Sequence, residues 1–154
     1  KGLRVAIVGD VFHSRVARSN AQLLSRFGAE VVLCGPPDLV PDVAENLAEG
    51  VVVSHDLRQA LQGSDVVMSL RVQKERLAGM QICIEDYIRD FQLTPERLAW
   101  AKLDAILMHP GPVIRGVELT SEVADGPQSR IREQVSNGVK VRMAILAAVL
   151  GAAR

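Results

Sequence analysis

The chain has 154 residues, 48% of them apolar, and its 18 Lys plus Arg balance 18 Asp plus Glu, so the formal charge is zero. That length predicts one domain able to bury a core. The neutral balance excludes a nucleic-acid binder built on a broad basic surface but leaves room for a local arginine cluster gripping a small anion.

Charges interrupt every apolar run well short of the roughly 20 residues a membrane span needs, and no secretory leader pattern opens the chain. Cys34 and Cys83 are too few and too widely spaced for a disulfide framework or a zinc site. A cytoplasmic setting is therefore expected. Lys1-Gly2-Leu3-Arg4 leads straight into an apolar run, the pattern of a domain taken from a longer chain.

Val5-Ala6-Ile7-Val8, stopped by Gly9-Asp10, reads as a parallel strand buried on both faces. Ser14 to Phe27 has helical apolar spacing, with Ser14 as N-cap and Gly28 as stop. Glu30 to Cys34 is a second strand. Pro41 is placed to open a short helix running to Glu49. Val51-Val52-Val53 is strand three, and Asp56 caps a helix ending at Gly63. Val66 to Leu70 is strand four. Glu85 to Phe91 and Pro95 to Ala101 read as helices, the second capped by Thr94. Asp104 to Met108 is strand five, and Ser129 to about Ala153 is a long helix, apolar in its second half.

Strands alternating with helices predict a single α/β domain over residues 1–154, a Rossmann-like three-layer αβα arrangement on a parallel five-stranded sheet. Right-handed crossovers favour the order 3-2-1-4-5. In such a sheet ligands lie outside the carboxyl ends of the strands where the chain reverses direction. Three loops meet there: Gly9 to Arg18, Arg71 to Arg76, and His109 to Arg115.

The first loop lacks the GxGxxG spacing of a dinucleotide site, which disfavours a nicotinamide-dependent dehydrogenase. It offers Arg15 in the first helical turn, close to backbone N–H groups that attract an anion. The second loop places Arg71 and Gln73 two residues apart, on one side of an extended chain. A guanidinium grips a carboxylate bidentately, and a carboxamide beside it donates and accepts. Lys74-Glu75-Arg76 reads as a solvated charge run. The third loop, His109-Pro110-Gly111-Pro112, is a conformationally restricted turn that can present main-chain groups to a ligand. His109 itself reads as a buried structural hydrogen-bonder. His13 and His55 are too far apart in the pattern for a metal site.

Val8-Gly9-Asp10 with His13 to Ser19, Arg71 to Arg76, Met108 to Pro112 with Arg115-Gly116-Val117-Glu118, and Gln134 to Val139 with Val141 to Ala144 stand in an order that resembles the C-terminal, aspartate-binding domain of the aspartate carbamoyltransferases, over essentially the whole chain. In the sister family that uses ornithine, the turn carries a cysteine and the second loop lacks the Arg-x-Gln pair. The resemblance implies transfer of a carbamoyl group from carbamoyl phosphate to the amine of L-aspartate in pyrimidine biosynthesis, without a cofactor. Arg15 and Arg71 would bind the aspartate carboxylates, Gln73 would assist, and Gly111 and Pro112 would supply main-chain contacts. His109 and Arg115 would stand behind them. The family forms homotrimers, and some members associate with dihydroorotase or regulatory chains.

Two features depart from the pattern. Ile114 stands where the family commonly has Asn, and it favours the alternative of a non-catalytic or degenerate carbamoyltransferase-like binding module. The Ser-Thr-Arg-Thr-Arg phosphate motif of the family's first domain, and the lysine loop a neighbouring subunit inserts, do not occur in these 154 residues. The resemblance therefore implies half a site, inactive in isolation, and a final helix whose apolar face at 139–150 packs on that other domain.

Overall fold

A computed structural model describes residues 2–73, 75, 79–80 and 82–151. Five parallel strands, β1 (Arg4–Val8), β2 (Glu30–Cys34), β3 (Val51–Ser54), β4 (Val66–Ser69) and β5 (Ile106–Met108), form one sheet in the order β3-β2-β1-β4-β5. β1 pairs with β2 on one side and β4 on the other, with Val8 opposite both Cys34 and Ser69. Val5 to Val8 are at most 3% exposed. A central strand with helices around its sheet has no solvent face, so its sequence runs continuously apolar instead of alternating. At the edge strand β3 the alternation returns: Val51 is buried and Val52 exposed.

Helix α1 (Arg15–Arg26) begins where Ser14 Oγ accepts a hydrogen bond from Ala17 N at 3.0 Å. Its small residues Ala17 and Ala21 are fully buried, with Val16 and Leu24 packed beside them, which lets the helix approach the core closely. Short helices α2 (Leu57–Leu61), α3 (Ile84–Phe91) and α4 (Pro95–Leu98) follow. Asp56 and Thr94 cap α2 and α4 as their sequence positions predict, accepting from Gln59 N at 2.9 Å and Arg97 N at 3.4 Å.

Several boundaries differ from those predicted, each for a local reason. After Pro41 the chain forms a 3-10 helix, Asp42–Leu47, in which Pro41 is the extended N-cap, its carbonyl accepting from Ala44 N at 2.8 Å. Only Ala44 of that segment is buried, too little apolar surface to favour a full α-helix. α4 stops at Leu98 because Trp100 N and Ala101 N bond three residues back instead of four. β5 starts only at Ile106, since Ala105 N closes a turn onto Lys102 O at 2.9 Å. A short helix not predicted from the sequence, α5 (Ser121–Ala124), is capped by Thr120.

The last helix, α6, spans Ile131–Val149. It begins two residues later than predicted because Ser129 bridges Leu107 and Arg130 N donates to Leu107 O at 2.8 Å, extending the edge of β5. Its predicted end at Ala153 lies outside the described residues. Ile131 packs against the core and Gln134 bonds to the body, but no residue of α6 is buried, and Val139, Met143, Leu146 and Val149 are all exposed.

The two cysteines differ in reach. Cys34 closes β2 inside the core, where burial, and less strongly Asp56, push its thiol up to about 12. Cys83 is exposed at the start of α3. A thiol-disulfide reagent at pH 8 is therefore expected to react with one equivalent of thiol in the folded chain and with a second only after denaturation. Two fast equivalents would contradict the packing of β2.

Candidate functional site at the carboxyl ends of β1, β4 and β5

The sheet order brings the ends of β1, β4 and β5 side by side, with Val8 opposite Ser69 and Met68 opposite Met108. The chains leaving β1 and β4 then press together. Gly9 has φ +126°, and a Cβ there would lie 2.8 Å from Leu70 O. Only glycine combines that backbone conformation with that approach. Leu70 N donates to Val8 O at 2.7 Å, so the residue entering the second loop is bonded to the end of β1.

Asp10 organises the first loop. It is 2% exposed; Oδ1 accepts from His13 N at 3.0 Å, and both carboxylate oxygens lie 3.0 Å from His13 Nδ1. The resulting turn delivers Ser14 to its capping position and Arg15 to the first turn of α1. Arg15 is exposed and forms no ion pair with a described residue. An arginine beside the positive end of a helix is locally unfavourable and becomes favourable when an anion joins it.

In the second loop Val72 is fully buried, while Arg71 and Gln73 on either side are half-buried. The alternation turns both polar side chains away from the core. Arg71 Nε is buried and has no hydrogen-bond partner among the described residues. A guanidinium donor left so favours a carboxylate that can enter and pair with it. Of the charge run that follows, Lys74 and Arg76 lie outside the described residues, and Glu75 is exposed.

The third loop is built on two fully buried polar side chains, His109 and Glu118. His109 Nδ1 accepts from Gly111 N at 2.8 Å, and His109 N donates to Gln134 Oε1 at 3.0 Å. Glu118 Oε1 accepts from Ile114 N at 2.5 Å and lies 3.3 Å from His109 Nε2, within ion-pair distance though off hydrogen-bond alignment. Gly111 takes φ +72°, and its bond to Pro112 is cis. Gly111 is half-buried and Pro112 exposed, so the tip of the turn faces outward. The Ile114 side chain packs against the core, and the loop uses its N–H instead.

Arg115 turns elsewhere. It holds Asp125 with Nη1 at 2.6 Å and Nη2 at 3.0 Å, a bidentate pair joining the loop to the end of α5. His13 is taken up by Asp10, and His55 by Gly35 O at 2.7 Å and Asp42 Oδ1 at 3.1 Å. Among the described residues no three His, Cys, Asp or Glu side chains come together as a metal site.

Neither Asp10 nor Glu118 is marked for these tasks by the sequence alone. The signal for Glu118 was a lone carboxylate between Val117 and Leu119, both buried. The Leu93–Leu119 bridge ties the segment to the link between α3 and α4, with Leu93 N bonded to Glu118 O at 2.9 Å. Tyr87 of α3 is buried in the same region, and burial, then the Glu118 charge, raise its phenol above the ordinary range.

Residues 1–149 match the family model described as the Asp/Orn binding domain of aspartate/ornithine carbamoyltransferase. The chain belongs to that family. It is 69% identical over 150 residues to the aspartate carbamoyltransferase catalytic subunit of Koribacter versatilis, covering 97% of this chain and 50% of the relative. An ornithine carbamoyltransferase from Pyrococcus furiosus superposes with a TM-score of 0.85 at 29% identity, over 100% of this chain and 51% of that one. The aspartate transcarbamoylase of Trypanosoma cruzi in complex with carbamoyl aspartate and phosphate gives 0.78 at 34% identity, over 95% and 48%. The chain thus spans about half the length of the carbamoyltransferases it matches.

Two outcomes check this geometry. Gly9→Ala should destabilise the fold by about 2 kcal/mol, through positive-φ strain and displacement of Leu70, lowering Tm by at least about 4 °C; an unchanged melting curve would show that the loops do not meet as described. The Arg115 pair holds the Asp125 carboxyl below its ordinary value. A depressed folded-state value means that the pair's stabilisation is complete above the unfolded carboxylate pKa, about 3.9, and is lost as pH falls below it. The stability gap between the unsubstituted chain and Asp125→Asn should therefore be constant from neutral pH to about 4 and narrow below that in urea titrations, by a small amount because both groups are half exposed.

Proposed function

We propose that this chain is the aspartate-binding half of an aspartate carbamoyltransferase, which transfers the carbamoyl group of carbamoyl phosphate to the amine of L-aspartate in de novo pyrimidine biosynthesis. The observation that carries the reading is a pair of arginines, Arg15 and Arg71, on adjacent loops and without an ion-pair partner among the described residues. Two guanidiniums at neighbouring strand ends match the two carboxylates of aspartate. They would repel the side-chain ammonium of ornithine, and this charge logic, not backbone likeness, separates the two amino acids. The 69%-identical relative carries the aspartate name.

Arg15 and Arg71 hold the carboxylates, Gln73 assists with its carboxamide, and the main chain at Gly111 and Pro112 lies toward the amine and the carbamoyl group. The amine nitrogen attacks the carbamoyl carbon, the bond from that carbon to the phosphate oxygen breaks, and the proton given up by the nitrogen passes to the departing phosphate. The nucleophile belongs to the substrate, so no protein nucleophile is required and catalysis rests on positioning and charge stabilisation. The T. cruzi structure binds the corresponding products, carbamoyl aspartate and phosphate. Carbamoyl phosphate is held by a further domain, the working assembly is a cytoplasmic homotrimer, and dihydroorotase or regulatory chains are candidate partners. His109 stands behind the turn; Arg115, through Asp125, steadies the loop from outside the site.

Calorimetry on the chain should show weak binding of L-aspartate and none of ornithine, while carbamoyl aspartate formation by the chain alone should be undetectable. A two-domain chain made by placing these 154 residues in the frame of the 69%-identical relative should turn over. In it Arg71→Ala should weaken aspartate binding roughly 100-fold, about 2–3 kcal/mol for a charge-assisted contact. Ornithine binding equal to aspartate binding would sink the reading.

A further inference from the structure

We infer that Glu118 is a positioning residue for this reaction, acting through His109 and the main chain of the turn; the inference rests on the aspartate carbamoyltransferase reading. The geometry is a cross-brace. One carboxylate oxygen, Glu118 Oε1, receives Ile114 N at 2.5 Å and faces His109 Nε2 at 3.3 Å, while the other ring nitrogen receives Gly111 N at 2.8 Å. Two main-chain N–H groups, one just before Pro112 and one just after Val113, are thereby tied to a single imidazole–carboxylate pair.

Because Nδ1 accepts a hydrogen bond from a backbone N–H, it cannot itself carry a proton, and the ring proton lies on Nε2, toward Glu118. The Glu118 charge, 3.3 Å from Nε2 though not aligned as a hydrogen bond, favours this tautomer electrostatically, and the tautomer determines whether Gly111 N has an acceptor. Burying a carboxylate and an imidazole completely is costly compared with apolar side chains of the same size. Stability alone would favour the apolar pair, whereas a turn whose main chain must keep one orientation benefits from the directional bonds that Gly111 N and Ile114 N make to the two side chains. Glu118 is moreover anchored from behind, its own carbonyl accepting from Leu93 N and its neighbour Leu119 bridged to Leu93, so the brace is referred to the core and not to the loop. The prolines restrict the backbone of the turn; the brace determines which way its carbonyls face.

A positioning role separates kcat from KM, because Arg15 and Arg71 hold the aspartate carboxylates independently of the turn. In the two-domain chain, Glu118→Ala is expected to lower kcat at least tenfold with KM for aspartate changed less than threefold. Glu118→Gln keeps an oxygen acceptor and should restore kcat to within about threefold. His109→Asn keeps the acceptor for Gly111 N and loses the Nε2 link, and should fall between them. Melting curves of each variant distinguish lost positioning from lost fold. In the unsubstituted chain the 15N spectrum should show His109 as the Nε2–H tautomer, with slow amide exchange at Gly111 and Ile114. An Nδ1–H tautomer, or a Glu118→Ala enzyme with unchanged kcat, would overturn the inference while leaving the aspartate reading intact. An inactive unsubstituted two-domain chain would overturn both.

Discussion

Gly9 is the point on which the site depends. The chain leaving β1 and the chain leaving β4 pass so closely that a single methyl group would strike the Leu70 carbonyl. That contact places Arg71 next to the loop that delivers Arg15, and the parallel register then adds the turn after β5 as the third wall. Adjacent parallel strands end at the same side of a sheet, so loops far apart in sequence become neighbours there. The positive φ of one glycine decides how near they come.

The site is a division of labour between charges left open and charges closed. Asp10 faces His13 within the first loop, Arg115 ties the third loop to Asp125 at the end of α5, and Glu118 lies 3.3 Å from His109 beneath the turn, and each pairing gives a loop its shape. Arg15 and Arg71 have no such partner among the described residues. A chain with zero net charge can therefore keep two arginines open on neighbouring loops, since the sum over 36 ionisable Lys, Arg, Asp and Glu side chains says nothing of which ones are paired. Cations committed to structural partners would be poor receptors for a dicarboxylate, and open cations without rigid supports would be poorly placed.

The chain belongs to the carbamoyltransferase family and spans about half the length of the relatives it matches. In the proposed reading the three loops would supply grips for an amino acid and a main-chain surface near its amine. Helix α6, docked only through its first residues, extends a largely apolar surface away from the sheet. The sheet of β1 to β5 is packed within its own core, while the chemistry proposed for it needs a phosphate-bearing substrate beside the amino acid.

Strand identity, sheet order and three of the helix caps were legible in the sequence because they rest on local rules: continuous apolar runs for buried parallel strands, and Ser14, Asp56 and Thr94 three residues before the N–H they accept. Boundaries at Pro41, Ala101, Asp104 and Ser129 were less legible, since three-residue turns and the Leu107–Ser129 bridge replace the regular bonds there. The three loops could likewise be named in advance, since the strand order alone dictates which loop ends meet.

What the sequence by itself determined is this framework, together with the residue types available at each strand end. Only the tertiary structure decided which polar residues are open and which are closed. Asp10 and Glu118 look like ordinary surface carboxylates in one dimension; burial and a partner several residues away make them supports, while Ile114, which looked like a defect in the motif, contributes its N–H and packs its side chain inward. Pairing is a property of distance in space, and a sequence records distance only along the chain.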